Sequence, residues 1–163
     1  MTTLERKSML LSKHGEAPAM NVKGPFEGLT HQTLAGRELG TEGVALWQHH
    51  MTVPLSVPPH YHETEEVVVV LSGTLRFFVG IQAEGWESGI DPLANAETVD
   101  CGPEATFVVP ARAIHAYDII SVPARVLIFM ADASAATLLP DGSPLPLPWQ
   151  PSPSNLSQKE ETE

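Results

Sequence analysis

The stretch Pro58-Pro59-His60-Tyr61-His62-Glu63-Thr64-Glu65-Glu66, running into Val67-Val68-Val69-Val70-Leu71-Ser72-Gly73, constrains this chain more than any other part of it. On an extended strand, residues two apart share a face, so His60 and His62 aim at one point while Tyr61 points away. Glu66 falls on the side of the histidines once the chain turns through Glu63-Thr64-Glu65. The β-branched run that follows reads as a buried strand rather than a helix. Two neutral imidazoles and a carboxylate suit a first-row divalent metal.

A fourth ligand comes from Thr106-Phe107-Val108-Val109-Pro110-Ala111-Arg112-Ala113-Ile114-His115, an apolar strand, a Pro-marked turn and then a histidine. On these residues the chain resembles a cupin. The first cupin motif (Gly, H-x-H, three or four residues, Glu, six residues, Gly) is met by His60, His62, Glu66 and Gly73, without its opening Gly. The second motif (Gly, five residues, P-x-G, two residues, His) is met by Pro110 and His115. Glu104 stands where its leading Gly is expected and Arg112 where the Gly of P-x-G is expected. These departures touch turn residues, so they bear on loop geometry more than on the ligand set. The resemblance implies an all-β fold, a single jelly-roll-like cupin barrel, and a metal held by His60, His62, Glu66 and His115.

Composition narrows the partners. A formal net charge of -11 repels phosphate backbones and anionic headgroups, which argues against nucleic acid and membrane surfaces. No run is long enough to span a bilayer, and no apolar segment adjoins the charged start at Met1 to Lys7. The single cysteine, Cys101, makes no internal disulfide, in keeping with a reducing compartment. A cytoplasmic protein is expected.

Along the chain, residues 1–40 show no strong period and read as an N-terminal arm, which in small cupin-like proteins often adds a strand to its own or a neighbouring barrel. Residues 41–133 read as the barrel. Val44 to Met51 is a strand with Ala45, Trp47, His49 and Met51 on one face and Val44, Leu46, Gln48 and His50 on the other. If the first face looks inward, Trp47 and His49 line a pocket; core packing with one exposed histidine is the competing reading. Glu66 to Leu71 and Thr74 to Gly80 read as a hairpin turning at Ser72-Gly73, with Phe77 a pocket candidate. Residues 81–99 read as an inserted surface loop in which Trp86 either caps a pocket or packs the loop down.

Tyr117 shares the parity of His115 and reads as a pocket residue; Ala124 to Met130 is the last clear strand. His14, His31 and His50 read as core or surface residues. Residues 134–163 read as a tail: a helical turn or two around Ala131 to Leu139, then a proline-crowded, largely disordered segment.

A set of three histidines and a glutamate accepts Fe, Mn, Ni, Cu, Co or Zn, one divalent ion per chain, and leaves two positions open on an octahedral ion. The resemblance is to quercetinase-like small cupins over roughly residues 43–131. It implies a metal-dependent dioxygenase acting on a small enolic or phenolic substrate, with Glu66 also placed to take the substrate's proton. Two other readings stay open: a metal-dependent isomerase or decarboxylase of a sugar or keto acid, needing polar groups such as Arg76, Arg112 and Tyr117, and a non-catalytic small-ligand-binding cupin. Cupins of this size also resemble homodimers, an expectation supported by apolar residues on the outer sheet face.

Overall fold

Alternating β-branched and aromatic residues build two long strands, β5 (Glu66–Gln82) and β8 (Ala113–Met130), and the molecule is organised round them. They run antiparallel side by side, from Glu66 opposite Met130 to Gln82 opposite Ala113. The computed structural model describes residues 9–150, and the remaining strands are β1 (Met20–Asn21), β2 (Leu29–Ala35), β3 (Ala45–Met51), β4 (Ser56–His60), β6 (Glu97–Cys101) and β7 (Thr106–Val109).

Each long strand carries different neighbours on its two halves. The start of β5 takes β7, with Val67 opposite Val108, and its far end takes β6. The end of β8 takes β3, whose outer edge takes β2 and then β1, while its start takes β4. One half is therefore β1-β2-β3-β8-β5-β7 and the other β4-β8-β5-β6, an all-β antiparallel jelly roll in which β5 and β8 belong to both halves. Buried Met51, Val68, Val70, Leu75, Phe77, Val126 and Met130 fill the space between them. Each such side chain contributes on the order of 1.5–3 kcal/mol through burial.

The hairpin expected at Ser72-Gly73 is not formed. Both halves of β5 pair with β8, so neither is free to pair with the other, and the chain bends instead through register shifts between Val70 and Thr74. Gly73 makes the bend possible, with φ 77° and a close neighbour: a Cβ there would lie 2.5 Å from the Ala124 Cβ and 2.7 Å from the Ser121 carbonyl oxygen. For the same reason the two strand segments expected at His115 to Ile120 and Ala124 to Met130 are one strand.

The N-terminal arm is not separate from the barrel. β2 lies beside β3 in the sheet, and Val22, Phe26 and Leu29 enter the core. The helical turns expected around Ala131 to Leu139 are also absent. The Asp132 carboxylate accepts the Ser134 N–H at 2.8 Å, a local bond that competes with helix formation, and Leu138 bridges to Tyr61 as an extended residue.

The proline-crowded segment up to residue 150 is a packed strap. Leu145 N–H donates to the Thr137 carbonyl at 2.9 Å, and Gln150 Nε2 donates to the Ala135 carbonyl at 2.9 Å. Leu145, Leu147 and Trp149 lie against the core, while the intervening Pro146 and Pro148 have no N–H to leave unpaired. The expectations for residues 1–8 and 151–163 fall outside the described residues.

Candidate metal centre

The ligand set is assembled by strand register. His60, the last residue of β4, sits opposite His115 of β8, and Glu66 is the first residue of β5. His62 is placed between them by the chain that joins β4 to β5. All four side chains are buried, and their ligating atoms lie within 4.8 Å of one another. Ligands around one ion at bond lengths of about 2.0–2.2 Å stand roughly 3–4 Å apart, so the spacing suits a single ion.

Hydrogen bonds fix which nitrogen faces inward. Nδ1 of His60 donates to the Pro58 carbonyl at 2.7 Å, Nδ1 of His62 to the Ala136 carbonyl at 2.8 Å, and Nδ1 of His115 to the Ala113 carbonyl at 2.9 Å. Each neutral ring then turns a lone pair on Nε2 toward the others, the orientation a metal-ligating histidine requires. Glu66 faces these lone pairs, with Oε2 3.0 Å from Nε2 of His115 and Oε1 3.9 Å from Nε2 of His62. His115 Nε2 and Glu66 Oε2 are both buried without a hydrogen-bonded partner. Acceptors gathered this closely need a positive charge among them: a proton between His115 and Glu66, or a metal ion in its place.

The electrostatics agree. Burial pushes the Glu66 carboxyl up, but the histidines beside it, His115 first, more than reverse this and hold it down to about 2. Burial, then the neighbouring imidazoles His115 and His62, keeps His60 well below the ordinary histidine value, and burial lowers His62 as well. His60 and His62 are thus held as neutral rings beside one carboxylate, the form that binds a cation.

His60, His62 and Glu66 of the set open onto a cavity with a free volume of about 30 Å³, lined also by Trp47, His49, Tyr117, Thr137, Leu147 and Trp149. The Trp47 face of β3 therefore looks inward, and Trp47, His49 and Tyr117 reach the cavity. Burial, then the nearby Glu66 charge, pushes the Tyr117 hydroxyl above its usual range.

Phe77 does not reach it. Its ring stacks on Phe107 at 4.3 Å and lies 5.3 Å from Tyr117, which does line the cavity. Trp86 does not cap the cavity either; its indole N–H closes its own loop by donating to the Ile90 carbonyl at 2.8 Å. Neither Arg76, paired with Asp100, nor Arg112, paired with Glu63 and Glu84, lines it.

Sequence reasoning missed His31, Thr137 and Trp149. His31 is 2% exposed, bonds to His49 across β2 and β3, and stacks on Trp149 at 4.3 Å. The signal available for the strap was the alternation Leu145-Pro146-Leu147-Pro148-Trp149, apolar residues on one side of an extended segment.

The two departures from the second motif have a backbone explanation. Glu104 and Arg112 are the described non-glycine residues with positive φ, at 67° and 62°. The left-handed turns are kept with side chains that adopt them at a cost. Arg112 adds side-chain contacts that a glycine lacks, since besides its acidic partners its guanidinium lies 5.6 Å over the Tyr61 ring; its backbone N–H donates to the His62 carbonyl at 2.8 Å, as a glycine's would.

A jelly roll with three histidines and a glutamate buried together beside its cavity defines a cupin with a metal-site constellation. The model of the auxin binding protein family matches residues 6–134, and the chain belongs to that family. It is 27% identical over 118 residues to "Auxin-binding protein T92" of Nicotiana tabacum, an alignment covering 64% of this chain and 60% of the relative, so the chain spans well under two thirds of that relative's length. Among solved structures it resembles the polyketide cyclase RemF of Streptomyces resistomycificus, with a TM-score of 0.59 and 18% identity over 94% of this chain and 95% of that one. It also resembles an oxalate decarboxylase of Bacillus subtilis, with a TM-score of 0.62 and 15% identity over 83% of this chain and 34% of that one. At these identities the likeness is one of fold.

Proposed function

We propose that the chain is a metal-dependent small-ligand-binding cupin whose ligand is a flat organic acid. The observation that carries this is the buried set of His60, His62, Glu66 and His115, three of which, His60, His62 and Glu66, line a cavity walled largely by apolar and aromatic side chains. A divalent ion there would supply a seat for an oxygen anion. Three neutral imidazoles and one carboxylate leave such an ion with about one unit of positive charge, which an acid's carboxylate neutralises. Trp47 and Trp149 give the cavity wall aromatic surface for the ligand's body, as fits a family named for auxin binding. The free volume of about 30 Å³ has room for roughly two or three waters. A larger ligand has to push aside the strap carrying Leu145, Leu147 and Trp149.

Isothermal titration of zinc-loaded and metal-free protein with benzoate, phenylacetate and benzamide tests the reading. The acids should bind at least tenfold more tightly than the amide, and only with metal. Equal binding of amide and acid, or equal binding without metal, would overturn it.

A second reading, a metal-dependent dioxygenase, is supported by the two positions that three histidines and a glutamate leave open on an octahedral ion beside the cavity. Oxygen uptake with enolic and phenolic substrates tests it. The isomerase or decarboxylase reading needs polar groups at the cavity; of its three candidates Tyr117 lines it, while Arg76 and Arg112 are paired elsewhere.

The homodimer is a separate proposal. The register sets Val108, Val67, Phe129 and Leu46 in one row across the outer face, with Val108 51% and Phe129 39% exposed. A sedimentation mass equal to one chain at micromolar concentration would remove it.

A further inference from the structure

The cavity has a second polar pole, away from the ligand set. His49, 4% exposed and lining the cavity, leaves its Nδ1 buried without a partner in the protein. A bare nitrogen there is destabilising unless something meets it. The indole Nε1 of Trp149, on the same cavity, is also buried and unpartnered, and the two rings lie 5.3 Å apart.

Behind His49 the hydrogen bonds continue. Its Nε2 lies 3.0 Å from Nδ1 of His31, whose Nε2 lies 3.0 Å from Oγ1 of Thr33. Burial, and for His31 also the adjacent His49, holds these rings down to about 3 for His31 and about 4 for His49. Each ring therefore carries one N–H at neutral pH. With one proton per ring, only two arrangements keep every link bonded. In the first, Nε2–H of His49 donates to His31, Nε2–H of His31 donates to Thr33, and Nδ1 of His49 offers the cavity a lone pair. In the second, the Thr33 hydroxyl donates to Nε2 of His31, Nδ1–H of His31 donates to Nε2 of His49, and Nδ1–H of His49 offers the cavity a donor. Both rings stay neutral in both states.

We propose that His49 Nδ1 is a second ligand anchor, backed by His31 and Thr33, which takes a neutral hydroxyl or carbonyl group by switching between acceptor and donor. An oxygen held there can also accept from the Trp149 indole. The proposal rests on the ligand-binding reading of the cavity but not on the metal, and its test uses uncharged probes.

The probes are phenol, which can donate; acetophenone, which only accepts; and ethylbenzene, which does neither. Titrated into the full-length protein, phenol and acetophenone should each bind about tenfold more tightly than ethylbenzene, as one satisfied hydrogen bond requires. His49→Phe should abolish both preferences while leaving metal content unchanged. Nitrogen NMR of ¹⁵N-histidine-labelled wild-type protein should show Nε2–H of His49 with phenol and Nδ1–H with acetophenone, with His31 changing in step. Equal binding of all three probes, binding of none, or the same His49 tautomer with both polar probes would overturn the proposal. Loss of the metal-dependent preference for acids, with these results intact, would count against the metal-anchored reading alone.

Discussion

Nδ1 of His60 and of His115 each donate to the carbonyl two residues back on their own strand, at Pro58 and Ala113. Because this device sits in the backbone, the orientation of these rings does not depend on other side chains. Removing a ring removes a ligand without disturbing its neighbours' aim. His62→Ala and His115→Ala should therefore each abolish tight metal binding, whereas His14→Ala and His31→Ala should retain it, measured as metal per chain by plasma mass spectrometry. Equal metal content in all four variants would refute the ligand assignment. At the exposed Glu104, with φ 67°, the left-handed conformation costs a side chain roughly 1–2 kcal/mol, against about 0.5–1 kcal/mol of extra chain entropy lost by a glycine. Glu104→Gly should stabilise the protein by roughly 0.5–1 kcal/mol in urea unfolding. Arg112→Gly should give no such gain, since its contacts to Glu63, Glu84 and Tyr61 go with it.

Among the elements, the bend of β5 carries the most consequence. Gly73→Ala places a Cβ against Ala124 of the neighbouring long strand and forces an unfavourable φ as well. A loss of about 2–4 kcal/mol is expected, combining backbone strain and overpacking, with both halves of the roll affected. A urea midpoint within error of the parent would show that the bend relaxes elsewhere. The ligands and the β class were legible in the sequence because strand periodicity and the H-x-H spacing are local signals. The bend was not: Ser72-Gly73 has the chemistry of a hairpin turn, and only the presence of β8 alongside both halves rules that turn out. The strap escaped for a related reason, since proline crowding suits both a solvated tail and an extended segment laid on a core. His31 looked like an isolated histidine because its partners, His49 and Trp149, are brought to it by long-range pairing.

For the whole molecule, the buried neutral histidines set the response to acid. The unfolded chain takes up protons near the ordinary histidine value of 6.5, while His49 and His31 in the fold resist until about 4 and about 3, with burial the main cause. Stability is then complete above roughly pH 6.5 and is lost as pH falls toward those lower values, by roughly 1–1.5 kcal/mol per pH unit for each ring. Urea unfolding of metal-free protein should give a clearly lower midpoint at pH 5 than at pH 7.5, and an unchanged midpoint would show the rings to be charged in the fold. The hydrogen bond that orients His62 reaches across 74 positions of sequence to the Ala136 carbonyl. A chain emerging from the ribosome thus presents its H-x-H pair long before it can hold that ring in place. Capture of the ion with the full set belongs after synthesis of Ala136, so a metal-loaded molecule certifies that the chain just beyond β8 has arrived and docked.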